Sequence, residues 1–142
     1  MGKPKKGRAK DGGQMHYSVG AIIQQKGKYL LINRAVPPFG FAGIAGHVDE
    51  NEEPVEALKR EVKEESGLTV RKADLLAEEE INGNWCSKGI HVHYWYLFKC
   101  TATGKITRNI RETKSIKWYT REEIKNLTLE PVWAYWFEKF VK

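Results

Sequence analysis

The chain has little cysteine, no long apolar run and no repeated segment. Its two cysteines in 142 residues, Cys86 and Cys100, fit no metal-binding spacing, which favours free thiols in a reducing compartment over a disulfide framework. No stretch approaches the roughly 20 apolar residues of a membrane helix, and the N-terminus lacks the apolar region of a signal peptide. These absences predict a cytoplasmic protein without a membrane partner.

What is present is a composition typical of one globular domain. Hydrophobic residues make up 41% of the chain, enough for a core at this length. The net charge of +6 is uneven, because residues 1–12 carry five basic residues against one acid. We expect residues 1–12 to be a basic, disordered arm and residues 13–142 to be the folded domain. Such an arm can touch nucleic-acid phosphates without reading sequence, but a solvated tail is the favoured interpretation.

The acidic charge is concentrated between residues 46 and 68, where eight acids face three bases. Pro54 and Gly67 are typical first and closing residues of a helix. Helical periodicity places Val55, Leu58 and Val62 on one packing stripe. Carboxylates on the neighbouring arc repel one another unless a cation lies among them, and clustered oxygen ligands suit Mg²⁺ or Mn²⁺. These carboxylates are Glu61, Glu64 and Glu65.

The order of residues in this segment is specific. It reads Gly46-x5-Glu52-x7-Arg60-Glu61-Val62-x-Glu64-Glu65-x-Gly67-Leu68. At all nine specified positions it resembles the signature of the Nudix hydrolases. The resemblance implies an α/β fold, the Nudix-type α/β/α sandwich with a mixed β-sheet. It also implies a MutT-like pyrophosphohydrolase that acts on phosphoanhydride bonds with a bound divalent metal.

The resemblance also implies which residues hold that metal, Mg²⁺ or Mn²⁺. Glu61, Glu64 and Glu65 match the ligand positions of the family, with the carbonyl of Gly46 as a further ligand. A later acidic residue serves in some members, and Glu112 is the candidate in this chain.

The catalytic candidates come from the same segment. Arg60 would orient the ligand Glu64 through a two-pronged arginine–carboxylate contact, and Glu52 would position the arginine or the start of the helix. Glu64 and Glu65 are both candidates for taking the proton from the attacking water.

Strand and helix patterns surround the acidic segment. Strands are predicted at residues 15–25, 28–33, 41–45, 68–81, 89–100 and 115–119. A capping box from Thr120 opens a short helix, and a last helix starts at Pro131. Aromatic residues recur at helical spacing in this last helix and are interpreted as core. They are Trp133, Trp136, Phe137 and Phe140.

Candidates for substrate contact lie outside the acidic segment. Arg34 ends a strand and can meet a phosphate, and Trp85 can stack on a base. Strand alternation places His93 and Trp95 on one face. The pair His91 and His93 suggests zinc but lacks an evident third ligand. The substrate-binding candidates are Arg34, Phe39, Trp85, His93 and Trp118.

The leading functional hypothesis is Mg²⁺-dependent hydrolysis of a nucleoside diphosphate linked to another group. A nucleoside triphosphate, modified or not, cleaved to monophosphate and pyrophosphate is preferred because the chain is compact. Hydrolysis of ADP-ribose or of dinucleoside polyphosphates is an alternative, although Gly83 stands where ADP-ribose hydrolases often have a proline. Two further alternatives are an RNA 5′-end pyrophosphohydrolase, motivated by the basic arm, and a non-catalytic nucleotide-binding regulatory module. Monomer and homodimer both stay open.

Overall fold

A computed structural model describes residues 2–83 and 89–141. Its strands are β1 Lys6–Arg8, β2 Gln14–Gln25, β3 Lys28–Arg34, β4 Phe41–Ala42, β5 Ile44–His47, β6 Thr69–Asn82, β7 Val92–Thr103 and β8 Thr113–Thr120. Its helices are α1 Pro54–Ser66, α2 Arg121–Ile124 and α3 Pro131–Phe140. The predicted strands and helices are confirmed, except that the segment 41–45 is divided at Gly43 into β4 and β5.

The sheet is mixed and centred on β2. The hydrogen-bonded order is β4-β3-β2-β7-β6, with β1 and β5 also paired to β2 and β8 paired to β3. β2 and β7 run parallel, with His16 opposite His93 at one end and Ile23 opposite Cys100 at the other. The other pairings are antiparallel. Since β2 is flanked on both sides, it is buried along most of its length.

Helices α1 and α3 cover opposite faces of the sheet. A Cβ added at Gly20 of β2 would lie 3.1 Å from Trp133 of α3, and one added at Gly46 of β5 would lie 2.1 Å from the Glu61 carboxyl carbon of α1. Gly20 pairs with Ala45, the neighbour of Gly46, and successive residues of a strand point to opposite faces. The predicted α/β/α sandwich is therefore confirmed.

The aromatic stripe of α3 forms much of the core beneath the sheet. Trp133 and Trp136 are fully buried and Phe137 nearly so, while Phe140 is half-buried against them. Trp95 of β7 meets the two tryptophans edge-on, with ring centroids 6.2 and 6.1 Å apart. Burial of each aromatic ring stabilises the folded state by about 2–3 kcal/mol. These contacts therefore hold α3 and the residues just before it against the sheet.

Helix α1 begins and ends at the predicted residues. Pro54 is its first residue, and Gly67 terminates it in the left-handed conformation with φ of 78°, which glycine adopts without steric cost. At the start of the helix, Glu53 and Glu56 form a capping box, in which the Glu53 N–H donates to Glu56 at 2.9 Å. Both ends of the helix that carries the acidic residues are therefore defined locally.

The packing face of α1 is rotated from the predicted stripe. Leu58 and Val62 are buried as expected, but Val55 is 38% exposed. Ala57 and Glu65 are buried instead, at 0% and 4% exposure. Because the packed face turns toward the acidic arc, Glu65 moves from the expected acidic surface into the interior.

Residues 2–12 differ from the disordered arm that we expected. β1 pairs antiparallel with the start of β2, and Ala9 is buried in a small apolar cluster with Met15. The Lys5 N–H donates to the Val48 carbonyl at 2.8 Å. Lysine-rich residues suit an edge strand, because their charged ends stay in water while the backbone pairs. β1 and β2 form a local hairpin, whereas the hydrogen bond from Lys5 to Val48 joins distant segments, and composition alone indicates neither.

The cysteine that the structure describes, Cys100, is a buried free thiol. Burial raises its pKa to about 12, so the thiol stays protonated at neutral pH. Cys86 lies outside the described residues. In the described part of the chain, the helices have at most 13 residues and none is suited to cross a membrane.

Candidate active site

Arg60 of α1 organises the acidic residues around it. Its Nε and Nη2 donate to the two carboxylate oxygens of Glu52 at 2.9 and 3.0 Å. Its Nη1 donates to Glu61 at 2.7 Å, and Nη2 also donates to the carbonyl of His47 at 2.9 Å. The hydrogen bond with Glu52 lowers the pKa of that carboxyl and raises the pKa of the guanidinium. Both groups are therefore charged at neutral pH.

The two-pronged contact differs from the expected one. Arg60 uses both prongs on Glu52, while the Glu64 oxygen lies 3.6 Å from Nη1, which is too long for a hydrogen bond. Glu52 also accepts from the N–H of Asp49 at 2.9 Å. Glu52 thus links the arginine to the loop before α1, and the remaining nitrogen, Nη1, donates to Glu61 rather than to Glu64.

Glu61 lies directly against the backbone of Gly46. A Cβ at Gly46 would be 2.1 Å from the Glu61 carboxyl carbon, so glycine is the residue that leaves room for this side chain. The Glu61 side chain is 14% exposed. Burial raises its pKa to about 7, although the hydrogen bond from Arg60 acts in the opposite direction. A cation bound nearby would restore the charged form.

Glu65 lies deeper than Glu61 and shares its surroundings with Glu112. Burial raises the pKa of Glu65 well above its usual value, and the charges of Glu61 and Glu112 raise it further. The Glu112 carboxyl lies close enough to contribute to this rise in pKa, and Arg34 is the opposing positive charge. Within the described residues, the Oε2 atom of Glu65 is buried and has no hydrogen-bond partner. Residues 65 and 112 thus meet although they are far apart in the chain.

These acids line a cavity of about 630 Å³. Among the described residues, four carboxyl groups and one guanidinium lie on its wall, and together they carry a formal charge of −3 when all are ionised. They belong to Glu61, Glu65, Glu112, Glu130 and Arg34. A cavity with this charge repels a polyphosphate unless cations are bound in it.

The donors of this cavity fit a hard divalent cation. The carboxylates of Glu61, Glu65 and Glu112 interact with one another, and Mg²⁺ and Mn²⁺ prefer carboxylate oxygens. The buried Glu65 Oε2 is a polar atom that such a cation would satisfy. Gly46 also lies on the wall. Glu64 has a 56% exposed side chain and stands outside the wall that the described residues form.

Two of the described substrate-binding candidates lie on the cavity wall, and two do not. Arg34 and His93 lie on the cavity wall. Phe39 is 59% exposed, and Trp118 packs on the core from β8, so neither belongs to the wall formed by the described residues. Trp85 lies outside the described residues.

Two residues of the wall have no signal of their own in the sequence. Glu130, 5% exposed, precedes α3 and lines the cavity, because the buried tryptophans of α3 draw its start inward. His47 follows Gly46 and also lines the cavity, near His93. In the sequence, the aromatic stripe of α3 indicates that the start of this helix, and with it Glu130, lies close to the interior. The position of His47 on the wall depends on the pairing of β5 with β2, which only the tertiary structure shows.

Replacing Glu130 by glutamine is expected to stabilise the protein at alkaline pH. Burial raises the pKa of Glu130 to about 7 from an ordinary value of 4.5. The folded state therefore holds a proton that the unfolded state releases, and stability falls as pH rises from 4.5 through 7. Glu130→Gln removes this loss. The free energy of unfolding of the variant should therefore exceed that of wild type by more at pH 8 than at pH 5, and this increase should be up to about 3 kcal/mol.

Thermal unfolding from pH 5 to pH 8 measures this difference. The control is Glu138→Gln, which changes an exposed glutamate on the same helix and should follow wild type at each pH. If the difference in unfolding temperature between Glu130→Gln and wild type stays constant with pH, Glu130 does not change protonation in this range.

Replacing Gly46 by alanine should displace the Glu61 carboxylate. The new Cβ would meet the carboxyl carbon and both oxygens within 2.5 Å, while the strand backbone itself can accept alanine. We expect a fall in kcat of about 10- to 100-fold, with a small change in unfolding midpoint. Steady-state kinetics and thermal unfolding test this, with Gly13→Ala as a control outside the cavity. Unchanged kcat would show that the position of Glu61 is not important.

Comparisons with known proteins concern the family and the fold of this chain. A family model described as NUDIX domain matches residues 14–140. The CTP pyrophosphohydrolase of Escherichia coli (strain K12) is 30% identical over 120 residues, covering 80% of this chain and 82% of that protein. Nucleoside triphosphatase NudI of Enterobacter sp. (strain 638) is 31% identical over 121 residues, covering 76% and 84%. A crystal structure of a MutT NUDIX hydrolase from Burkholderia pseudomallei has a TM-score of 0.75 at 21% identity, covering 91% of this chain and 100% of the other.

Proposed function

This chain belongs to the Nudix hydrolase family, and from that premise we propose that it hydrolyses nucleoside triphosphates to a monophosphate and pyrophosphate with Mg²⁺ or Mn²⁺. The observation that carries the proposal is the charge of the cavity. In the part of the chain that the structure describes, its wall holds four carboxyl groups and one guanidinium, an excess of acid that suits an anionic substrate only when divalent cations are bound between the two.

The cation would be held by Glu61 and Glu65, with Glu112, Glu64 and the Gly46 carbonyl as further candidates. Bound there, it would neutralise phosphate oxygens and make a water more acidic. Arg60 keeps Glu61 turned toward Gly46 through its 2.7 Å hydrogen bond. Arg34, the basic residue on the wall, meets a phosphate group of the substrate.

Glu65 is our choice between the two candidates for the proton acceptor. It lies on the cavity wall, and its Oε2 has no hydrogen-bond partner among the described residues. Glu64 is more than half exposed and stands beside Arg60. A carboxylate needs to come within hydrogen-bonding reach of the water to take its proton, and the buried position of Glu65 supports that role.

The relatives support the substrate class. Two that cover most of this chain are described as a CTP pyrophosphohydrolase and a nucleoside triphosphatase. The cavity volume of about 630 Å³ lies within the usual range for small-molecule sites, about 300–1,000 Å³, and suits one nucleotide.

A substrate panel tests the proposal. Purified protein is incubated with each nucleoside triphosphate, oxidised triphosphates, ADP-ribose, dinucleoside polyphosphates and triphosphorylated RNA, with Mg²⁺, with Mn²⁺ or with chelator. Anion-exchange chromatography separates pyrophosphate from phosphate. We expect a monophosphate and pyrophosphate from at least one triphosphate, and no turnover in chelator.

The panel also separates the other functions. Release of phosphate instead of pyrophosphate, or a preference for ADP-ribose, dinucleoside polyphosphates or RNA ends, would contradict the triphosphate assignment. Binding of nucleotides without turnover in any metal would contradict enzymatic activity.

A further inference from the structure

Three histidines from three neighbouring strands meet on one face of the sheet. His16 of β2 lies directly opposite His93 of β7 in the parallel pairing. His47 of β5 lies opposite Ser18, two residues along β2 from His16. Residues two apart in a strand share a face, and paired residues point to the same side. The tertiary structure thus supplies partners for His93 that the His91 and His93 pair alone does not.

The cluster is compact enough for a single metal ion. One ring nitrogen from each histidine can be chosen so that all three lie within 4.8 Å of one another. The ring centroids are 5.0 Å apart for His16 and His47, 5.7 Å for His47 and His93, and 6.0 Å for His16 and His93. Three imidazoles on a tetrahedral zinc, with Zn–N of about 2.0–2.1 Å, place their ring centroids about 5.2 Å apart. Side-chain shifts of less than about 1 Å therefore close the site.

The surroundings of the cluster are protected but reachable. His16 and His93 are 4% and 1% exposed. His47 and His93 line the cavity that contains the carboxylates, and His16 lines a second cavity of about 410 Å³. The main chain of His47 is held in place because its carbonyl accepts a hydrogen bond from Arg60 at 2.9 Å. A metal ion can enter through either cavity, and two of the ligands, His16 and His93, lie on the paired strands β2 and β7.

The ligand type distinguishes this cluster from the carboxylate site. Imidazole nitrogens suit borderline cations such as Zn²⁺, whereas the carboxylate oxygens of Glu61, Glu65 and Glu112 suit Mg²⁺ or Mn²⁺. His47 follows Gly46 in β5, so their side chains point to opposite faces of the sheet. The Glu61 carboxylate thus lies on the α1 face, and the three imidazoles lie on the α3 face.

We propose that His16, His47 and His93 form a second metal site, which binds one Zn²⁺ through three imidazole nitrogens independently of the carboxylate site. Three protein ligands leave the fourth position of a tetrahedral zinc open. Zinc at this site therefore adds a positive charge beside the cavity.

Calorimetric titration of Zn²⁺ into tag-free protein, with Mg²⁺ in excess, tests the proposal. Wild type should bind one Zn²⁺ per chain. His16→Gln and His93→Gln should weaken Zn²⁺ binding at least 100-fold. The matched control is His91→Gln, which removes the nearby histidine that is not part of the cluster and should bind as wild type does. Glu65→Gln should also keep zinc binding, because it alters the carboxylate site instead.

Loss of zinc binding in Glu65→Gln with retention in His16→Gln would overturn the proposal, as would the absence of binding in wild type. X-ray absorption at the zinc edge of the wild-type chain gives a readout that does not depend on variants folding. Three imidazoles around the zinc are expected, and fewer than three would contradict the assignment.

Discussion

Glu65→Gln is expected to lower metal-dependent hydrolysis by about three orders of magnitude while the chain stays folded. The glutamine keeps the shape of the side chain but is uncharged, so it neither attracts the cation nor accepts the proton. Glu65 is 4% exposed, and burial together with Glu61 and Glu112 raises its pKa. The charged form is therefore costly in the folded state, and its cost grows as pH rises. Without metal, the variant should unfold at a higher temperature than wild type at neutral pH.

Opposite changes in activity and stability would mark Glu65 as a functional charge rather than a structural one. Single-turnover kinetics and thermal unfolding, both with and without Mg²⁺, measure them. Glu56→Gln is the control on the same helix: Glu56 is exposed, and glutamine preserves its capping contact. Glu64→Gln should also lose most of the turnover. Near-wild-type turnover in both Glu64→Gln and Glu65→Gln would contradict the assignment of this site.

Arg60→Lys is expected to behave as a severe change although the charge is kept. Arg60 holds two oxygens of Glu52, one oxygen of Glu61 and the carbonyl of His47 at distances from 2.7 to 3.0 Å. A lysine ammonium is a single point charge without the planar fork, and it cannot satisfy all of these acceptors. We expect a loss of about 2 kcal/mol in the free energy of unfolding, because at least one hydrogen bond to a charged group is lost while the positive charge stays. We also expect kcat to fall about 10- to 100-fold, because Glu61 is no longer oriented.

Urea unfolding and steady-state kinetics measure the two effects. Arg121→Lys is a matched control, because Arg121 pairs with Glu122 at 3.8 Å on the surface and such pairs contribute little. A double-mutant cycle with Glu52→Gln isolates the central contact. If the effects of Arg60→Lys and Glu52→Gln on the free energy of unfolding are additive, the two residues do not act together. The contact between Arg60 and Glu52 would then not be responsible for the position of Glu61.

Local patterns predicted most of the fold. The apolar strands, the helix that opens at Pro54 and closes at Gly67, and the aromatic stripe of α3 depend on periodicity and end residues, which are properties of short segments. The exceptions involve long-range contacts. Val55 was expected in the packing stripe but is 38% exposed, and residues 2–12 pair with β2 instead of remaining free. The rotation of a helix on its sheet is not encoded in nearby residues, and neither is the hydrogen bond that joins Lys5 to Val48.

The sequence by itself determined the family, through the resemblance of the segment from Gly46 to Leu68 to the family signature. It also determined the acids of α1, because the spacing of Glu61, Glu64 and Glu65 along a helix is fixed by helical geometry. Only the tertiary structure decided which of them enters the cavity and which other residues join it. Glu112 and Glu130 reach the cavity from distant segments, and His16 and His47 meet His93 through the register of three strands. The physical reason is that contacts between distant segments depend on strand pairing and core packing, which are settled by the burial of the whole chain rather than by any one motif.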